Sequence, residues 1–488
     1  MRRLWVLPIL LLLFTFLSGC SDEKVVAPIP SDSPNSSAIT IDPEAVAVEL
    51  VSRAGWEVTM DEDLPARFKD LQAATPAGNI LTSERQVIVD DIVHYSFQVR
   101  VGSGPYDVIG LHRVVKEKKP GDPIKAKETV FLQHGDAIGF VKFIFGAAAP
   151  SVPDDHGSAI FLAQHGVDVW GIDQPWVLVP YGIADFSFMA NWGIGYEIDV
   201  LRIGLGIARS SRAMTGSGYG KMNLLGYSSG AFLGYSYVDY ETQLPPGLRH
   251  VSGYIPVDCM IKDNDAFNRQ GACGTAQFYK DMLDTGVYQD EGSYLLFYLM
   301  GTWAQTDPDG DSPVFPGYTN LQAALLVGAS TYVLAPFPPS WHYVAGVYDE
   351  AGVPTGLQYT TVPGYLDFVV FASPYEPSLF LYDIYALWCD EEDSPYDDHL
   401  SEITVPIFYV GANGGIGTAG IYSTTIVGST DVTTLIVSLH PAEEIALDFG
   451  HIDIFTAENA PSLVWQPMYN WIKAHTEHGQ GKGDMTMK

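Results

Sequence analysis

The feature that most constrains the fold is an apolar run that passes into a helical pattern through a turn of small residues. Residues 222–226 are typical of a short buried strand, and residues 229–240 have helical spacing. Between them lies Gly-Tyr-Ser-Ser-Gly at 226–230. A strand can turn this sharply into a helix only where its neighbours are small, as Gly226 and Gly230 are. The pattern predicts that Ser228 lies on a tight turn at the carboxyl edge of a sheet.

Strand-like and helix-like segments alternate on both sides of this turn. The predicted strands cover residues 86–100, 106–115, 129–133, 167–173, 222–226, 251–257, 405–410 and 433–438. The predicted helices cover residues 158–164, 198–213, 229–240 and 462–476. This alternation predicts an α/β fold, with a mostly parallel central sheet and helices on both faces.

Interruptions of the alternation divide the 488-residue chain. From about residue 260 to 400 the sequence is rich in Tyr, Phe, Pro and Gly and has no regular βα units. We therefore expect a cap or lid insertion over residues 259–402, with the sheet domain built from residues 46–258 and 403–488. Residues 21–45 are mostly polar and rich in Pro and Ser, which predicts a tether.

Residues 1–20 have the pattern of an export signal. Arg2 and Arg3 precede an apolar run over residues 5–17, which is too short for a good membrane span. The run ends in Leu-Ser-Gly-Cys at residues 17–20, which resembles the bacterial lipobox. The resemblance implies a lipid on Cys20 and attachment to the bacterial cell envelope. Because Ser21 rather than Asp follows the cysteine, the outer membrane is the expected destination.

The composition argues against several classes of partner. The chain has 58 acidic and 26 basic residues, a net charge of -32, so a nucleic acid is not an expected partner. There is no close His pair, no Cys pair at zinc spacing and no phosphate-type glycine loop, so we expect neither a metal nor a cofactor. The acidic run at 307–311 lacks the ligand spacing of a calcium loop and predicts a turn.

A serine hydroxyl on such a turn becomes a useful nucleophile only beside a base. His451 is the preferred candidate because it follows the last predicted strand, and Gly450 allows it a close approach. His440 is the rival, since it lies just past that strand. The order Ser then His along the chain is the order expected for a catalytic triad on this type of sheet.

A site that stabilises a developing oxyanion is expected in the loop after the first buried strand. Residues 132–136 read Leu-Gln-His-Gly-Asp, and Gly135 would let the loop fold tightly. The predicted donors are the backbone N–H groups of Asp136 and Ser229. His134 is expected to orient this loop rather than to act as the base; an ordinary tight turn is the alternative.

Four motifs together resemble the acid (gastric and lysosomal type) lipase branch of the α/β hydrolases. They are Gln-His-Gly at 133–135, Gly-Val-Asp-Val-Trp at 166–170, Gly-Tyr-Ser-Ser-Gly at 226–230 and Gly-His-Ile-Asp at 450–453. The resemblance covers about residues 85–258 and 403–475. It implies an ester-cleaving serine enzyme whose insertion covers the site.

The triad acid departs from that pattern. In the family it follows the strand that corresponds to residues 407–410, but here the turn at 411–415 reads Gly-Ala-Asn-Gly-Gly and has no carboxylate. Some lipases of the fold place the acid after the preceding strand, where Asp258 lies. Asn413 remains an alternative as a neutral orienting group, and Asp263 and Asp431 remain open as well. A helix cap is the competing role for Asp258.

Three cysteines remain after the leader. In an oxidising compartment one bridge is expected, and Cys259 with Cys273 is the preferred pair because it closes a short loop. The alternative is that these are two buried free thiols.

These observations lead to one leading hypothesis and two alternatives. The leading hypothesis is ester hydrolysis through an acyl-enzyme, with a Ser228–His451–Asp258 triad. The alternatives are an inactive fold that serves as an envelope scaffold or binding lipoprotein, and hydrolysis of a different bond, such as an amide or a polyester. Aromatic residues of the insertion predict an apolar or aromatic substrate group, or else the insertion's own core: Tyr294, Phe297, Tyr298, Trp303, Trp341 and Tyr343.

Overall fold

The computed structural model describes residues 41–59, 78–330, 341–391 and 393–476. The predicted signal segment with Cys20 lies outside these residues, as does the tether up to residue 40. The last part of the predicted tether is corrected, because a helix begins at Pro43. Asp42 caps that helix by accepting the N–H of Glu44, which favours helical structure directly after the polar segment.

Strands and helices alternate along the described chain. The strands are β1 Ile80–Val89, β2 Ile92–Arg100, β3 Val108–Lys119, β4 Asp122–Pro123, β5 Thr129–Gln133, β6 Asp168–Asp173, β7 Met222–Tyr227, β8 Val251–Val257, β9 Gln289–Asp290, β10 Gly346–Tyr348, β11 Pro354–Leu357, β12 Glu376–Pro377, β13 Ile407–Ala412 and β14 Val432–Val437. The helices are α1 Pro43–Ala54, α2 Ser158–Gln164, α3 Ile194–Met214, α4 Ser229–Thr242, α5 Ala266–Asp284, α6 Met300–Thr306, α7 Asn320–Ala329, α8 Val362–Val369, α9 Ser378–Cys389, α10 Ile421–Thr425, α11 Asp453–Thr456 and α12 Gln466–Ala474. Short 3₁₀ and π-helical stretches, among them Phe140–Ala147 and Pro461–Trp465, connect them.

The central sheet has the order β1-β2-β3-β6-β5-β7-β8-β13-β14, with β4 paired to β3. The pairing is antiparallel between β1 and β2, between β2 and β3, and between β3 and β6. Along the sheet from β6 through β5, β7, β8 and β13 to β14, all neighbouring strands are parallel. Parallel neighbours bring the carboxyl ends of β5, β7, β8 and β13 to one edge, which is where the predicted site residues follow their strands.

Helices cover both faces of this sheet, as the alternation predicted. Successive residues of β5 point to opposite faces, so Val130 and Leu132 join one buried cluster and Phe131 joins the other. The first cluster includes the apolar side of α2 and α12, and the second includes α1, α3 and α4. Strands with two buried faces are continuous apolar runs, which explains the character of β5 and β7.

The chain between β8 and β13, residues 259–402, is called the intervening segment. In its described part it forms helices α5 to α9 and two small antiparallel pairs, β10 with β11 and β9 with β12. Residues of α6, α7 and α8 join the first buried cluster, and residues of α9 join the second. The intervening segment therefore packs onto the sheet domain through apolar contacts.

The disulfide pairing differs from the predicted one. Cys273 on α5 is bonded to Cys389 at the end of α9, and Cys259 is a buried free thiol. Cys259 is the second residue after β8 and is held in the core, whereas α5 and α9 pack against each other and bring their cysteines together. The predicted Cys259–Cys273 bridge was wrong because the partner comes from a helix 116 residues further along the chain.

The last predicted helix is interrupted at its start. A π-helical turn, Pro461–Trp465, precedes α12, which places Met468, Trp471 and Ile472 in the core. Among the described residues, no helix combines the length and the apolar character needed to cross a membrane.

Candidate active site

Ser228 lies between the last residue of β7 and the first residue of α4, with φ 56° and ψ -131°. A serine adopts a positive φ only where its surroundings enforce it. A Cβ atom added to Gly226 would lie 2.3 Å from the carbonyl oxygen of Gly230, and one added to Gly230 would lie 2.1 Å from that of His134. Both glycines are therefore required for the turn that presents Ser228, as the sequence predicted.

His451 lies just before α11 and is buried beside Ser228 at the same cavity. Its Nδ1 atom lies 2.6 Å from Oδ2 of Asp258. Its ring stacks on that of Tyr227, with 4.6 Å between centroids, and the Tyr227 hydroxyl donates a hydrogen bond to the His451 carbonyl oxygen. These contacts hold the imidazole in one orientation, with Nε2 free of the carboxylate.

Asp258 directly follows β8 with φ 47° and is fully buried. Besides His451, its carboxylate accepts hydrogen bonds from the backbone N–H groups of Ala412, Ile416 and Gly417. These donors come from the end of β13 and the loop after it. The turn that lacks a carboxylate of its own and the two residues after it therefore supply the amides that contact Asp258.

The alternatives to Asp258 and His451 have other partners. The Asn413 side chain donates to Oδ2 of Asp448 over 2.8 Å rather than to the histidine. His440 pairs with a glutamate four residues further on. Asp263 accepts from the backbone and side chains that begin α5, and Asp431 lies 3.4 Å from a histidine after α12.

The loop after β5 packs directly against the serine. A Cβ atom on Gly135 would lie 2.6 Å from Cβ of Ser228, so only glycine fits there. Asp136 and Ser229 line the same cavity as Ser228, and within the described residues neither backbone N–H donates to another protein group. Two free amides beside a serine hydroxyl are what an oxyanion requires.

His134 is buried beneath this loop. Its Nδ1 lies 2.8 Å from the carbonyl oxygen of Gly135, and its Nε2 lies 3.0 Å from the N–H of Gln174. Burial lowers the pKa of His134 to about 4, so the ring is neutral at neutral pH. A neutral ring donates at Nδ1 and accepts at Nε2, which is the arrangement that the two partners require.

Ser228 and His451 open into a cavity of about 210 Å³ between the sheet edge and the intervening segment. Of the aromatic residues predicted to contact substrate, Phe297, Trp341 and Tyr343 line it. Tyr294 and Tyr298 stack on each other, and Trp303 packs on the core. Four further aromatic residues of the intervening segment, not predicted, also line the cavity: Tyr279, Phe368, Tyr385 and Trp388.

The cavity also holds ionisable groups that the sequence did not indicate. Lys142 is only 1% exposed, and its Nζ lies 4.7 Å from the centroid of the Tyr227 ring. Burial lowers the pKa of Lys142 to about 7, although Asp136 and Glu376 act in the opposite direction. Burial raises the pKa of Asp136, and that of Glu376 well above its ordinary value. A lysine within an apolar run such as residues 140–145 is a weak signal that could have been noticed.

The described residues contain one group with the ligand spacing of a metal site, Cys273, Cys389 and Glu391. The two cysteines are bonded to each other, so their sulfur atoms are not thiolate ligands. In the acidic run at 307–311, the Gly310 N–H donates to the Asp307 carbonyl oxygen over 3.2 Å, which is a turn between α6 and α7.

Solved structures share this architecture. The chain matches a protein from Sulfolobus solfataricus described as a candidate lipase, with a TM-score of 0.53 and 17% identity over 81% of this chain and 99% of that one. The fold is that of the α/β hydrolases. Two weaker matches are a monoglyceride lipase from Saccharomyces cerevisiae (TM-score 0.43, 12% identity, 83% of this chain and 98% of that one) and a thermostable carboxyl esterase from Bacillus coagulans (TM-score 0.40, 12% identity, 80% and 100%).

At the level of sequence, no protein-family profile and no curated protein matches the chain. The assignment to the α/β-hydrolase fold therefore rests on the sheet and on the Sulfolobus structure. The narrower resemblance to the acid lipase branch remains a prediction from the four motifs.

Proposed function

We propose that this α/β-hydrolase-fold protein is a serine carboxylic-ester hydrolase, an esterase or lipase. The observation that carries the proposal is the 2.6 Å contact between Asp258 and His451, at a cavity that Ser228 also lines. A serine on a strained strand-to-helix turn, a histidine and a buried carboxylate are the groups that acyl transfer requires. The Sulfolobus protein of the same fold is described as a candidate lipase, which agrees with this proposal.

The proposed reaction proceeds through an acyl-enzyme. Ser228 Oγ attacks the ester carbonyl carbon, and His451 Nε2 takes the hydroxyl proton. The N–H groups of Asp136 and Ser229 stabilise the oxyanion, while Asp258 keeps the proton of His451 on Nδ1 and stabilises the imidazolium. Collapse of the intermediate expels the alcohol, which receives the proton from His451. A water molecule then attacks the acyl-enzyme by the same steps in reverse and releases the acid.

The proposed substrate carries an apolar or aromatic group on one side of the ester. The aromatic lining from the intervening segment supplies the apolar contacts, and this segment would act as the cap over the site. The buried groups Lys142, Asp136 and Glu376 occupy part of the same cavity, which favours an acyl or alcohol group with some polar character over a long saturated chain.

We also propose that the enzyme is attached to a bacterial outer membrane through a lipid on Cys20. The support is the lipobox-like sequence at residues 17–20. Growth of producing bacteria with an alkyne fatty acid should label the protein. A Cys20→Ser variant that is labelled equally well would contradict the anchor.

The test of the activity is hydrolysis of p-nitrophenyl esters from acetate to palmitate by the full-length protein in detergent. We expect Ser228→Ala to lower kcat at least about 1,000-fold, since the nucleophile is lost. The matched control is Ser236→Ala, which removes a fully buried hydroxyl from the same helix, α4. Full activity of Ser228→Ala would overturn the assignment. Wild-type protein inactive on the whole series would favour a scaffold role or a different bond.

A further inference from the structure

Ala137, in the loop that carries Asp136, has an unusual backbone. Its φ is 62°, in the left-handed region that is unfavourable for a residue with a Cβ. The N–H of Ile138 donates to the carbonyl oxygen of Asp136 over 2.7 Å, so the loop makes a tight turn centred on Ala137. Such a conformation persists only where the surrounding structure holds it.

The intervening segment holds both polar groups of Ala137. The Ala137 N–H donates to Oε1 of Glu376 over 3.2 Å, and the Ala137 carbonyl oxygen accepts from the N–H of Ser373 over 2.6 Å. These two partners lie three residues apart, in the stretch that leads into α9. Residues 373–376 of the intervening segment therefore bind the turn on one side, whereas β5 and His134 of the sheet domain hold the loop on the other.

Glu376 is itself fixed in place. It is 4% exposed and lies on β12, where its backbone pairs with Asp290 of β9. The Ser293 hydroxyl is a further hydrogen-bond partner of its carboxyl group. Burial, followed by the nearby carboxylate of Asp136, raises the pKa of Glu376 well above its ordinary value. In the contact with Ala137 its carboxyl oxygen is the hydrogen-bond acceptor.

We propose that Glu376 is a positioning residue that holds the oxyanion-binding loop in its active conformation through the Ala137 N–H. The inference rests on the proposed function and adds a role for the intervening segment beyond covering the cavity. Because the N–H of Asp136 belongs to the same turn, release of Ala137 would let this donor rotate away from the oxyanion. The ground-state substrate makes little use of this donor, so the loss falls on the transition state.

The test compares two substitutions of Glu376 in the full-length protein. Glu376→Leu keeps the volume and removes the acceptor, whereas Glu376→Gln keeps an acceptor oxygen at the same place. With p-nitrophenyl butyrate we expect Glu376→Leu to lower kcat about 10- to 100-fold and to change KM less than about 3-fold. Glu376→Gln should keep at least about one third of the wild-type kcat. Ser293→Ala, which removes one hydrogen-bond partner of Glu376, should give an intermediate kcat and a folded protein.

The matched control is Asp383→Leu. Asp383 on α9 also accepts a backbone N–H from the sheet domain, that of Ile194 over 2.8 Å, but it does not line the cavity that holds Ser228 and Asp136. Thermal unfolding of each variant separates loss of stability from loss of kcat. We expect Asp383→Leu to lower Tm and to leave kcat within about 3-fold of wild type, because no catalytic donor moves.

Two results would overturn the positioning role while leaving the ester hydrolase in place. One is a Glu376→Leu enzyme with wild-type kcat. The other is a Glu376→Gln enzyme as impaired as Glu376→Leu, since an acceptor would then not be what matters. Failure of the proposed function is a distinct result: the wild-type protein would show no Ser228-dependent turnover, and the positioning role would fall with it.

Discussion

The two edges of the central sheet carry buried carboxylates in opposite situations. At the amino-terminal edge of the parallel strands, Asp168 begins β6 and accepts from Nε and Nη2 of Arg113 and from Nη1 of Arg212, over 2.5–2.9 Å. The second positive charge is accommodated because the Arg113 guanidinium lies over the rings of Trp56 and Trp170. Burial alone would raise the pKa of Asp168, but the two arginines lower it below its ordinary value.

At the carboxyl edge the charges are not matched in this way. Asp258 is surrounded by backbone amides and His451, and no arginine contacts it among the described residues. Lys142 forms no ion pair within the described ranges.

The difference separates a stabilising network from a functional one. Oppositely charged groups that pair with each other stabilise the fold, whereas ionisable groups that line a cavity without such a partner are available to a substrate or to proton transfer. The two edges are distinguished by the partners of their buried carboxylates. Three substitutions test this contrast.

The largest effect is expected for Asp258→Asn. The shape is kept, but the amide cannot stabilise the imidazolium and favours the wrong tautomer of His451, so kcat should fall about 10,000-fold. Steady-state kinetics with p-nitrophenyl butyrate measure this. If Asp258→Asn retained more than a tenth of the wild-type kcat, Asp258 would have a structural role, like Asp168 at the amino-terminal edge.

Asp168→Ala should act on stability instead. It leaves Arg113 and Arg212 buried without their shared partner, which should cost about 3–5 kcal/mol of the free energy of unfolding. Because the folded pKa of Asp168 is lowered, its contribution is present at neutral pH and is lost as the pH falls through that value. Urea unfolding gives the free energy, and kcat per folded molecule should be unchanged. A variant with wild-type stability and a lowered kcat would contradict this contrast, because Asp168 would then act in catalysis rather than in stability.

Lys142→Met should change the free energy of unfolding by a smaller amount and should raise it rather than lower it. The folded pKa of Lys142 is about 7, below the ordinary value of a lysine, so the unfolded chain binds more protons between about pH 7 and 10. Wild-type stability should therefore rise over this range, although Asp136, Glu376 and Asp173, which face the ammonium group, moderate it.

The methionine variant lacks this titration. Its unfolding free energy should be higher than that of wild type by about 1–3 kcal/mol at pH 7 and should depend less on pH. Urea unfolding at several pH values between 7 and 10 measures both quantities. A destabilised variant at pH 7 would mean that Lys142 is paired and belongs with the structural network.

Local patterns predicted the parts of this molecule that local physics determines. The helix over residues 158–164 and the strand over residues 251–257 have the predicted bounds, because apolar periodicity and flanking turns suffice to define them. The turn at Ser228 and the loop at Gly135 were recognisable because only glycine fits beside them. Asp258 was expected to meet His451 because some lipases of this fold place the acid after the corresponding strand, and the two side chains are in contact.

Contacts between segments that lie far apart along the chain could not be predicted from the sequence. Cys389 pairs with Cys273 because α5 and α9 pack together, an arrangement that no short-range pattern encodes. Glu376 reaches Ala137 across 239 residues, and its surroundings in the sequence indicate nothing about an oxyanion loop. Half of the six predicted substrate-facing aromatic residues line the cavity, because composition identifies an apolar segment but not which side of it faces the site.

The most direct test of the central claim is to locate the reactive serine chemically. The full-length protein is treated with a serine-reactive alkyl fluorophosphonate, and the adduct is identified by intact mass and by peptide mapping. We predict one adduct, on Ser228, that forms much more slowly in the Asp258→Asn variant because His451 no longer activates the hydroxyl. An unlabelled protein, or an adduct on another serine, would contradict the assignment of Ser228, His451 and Asp258 as a catalytic triad.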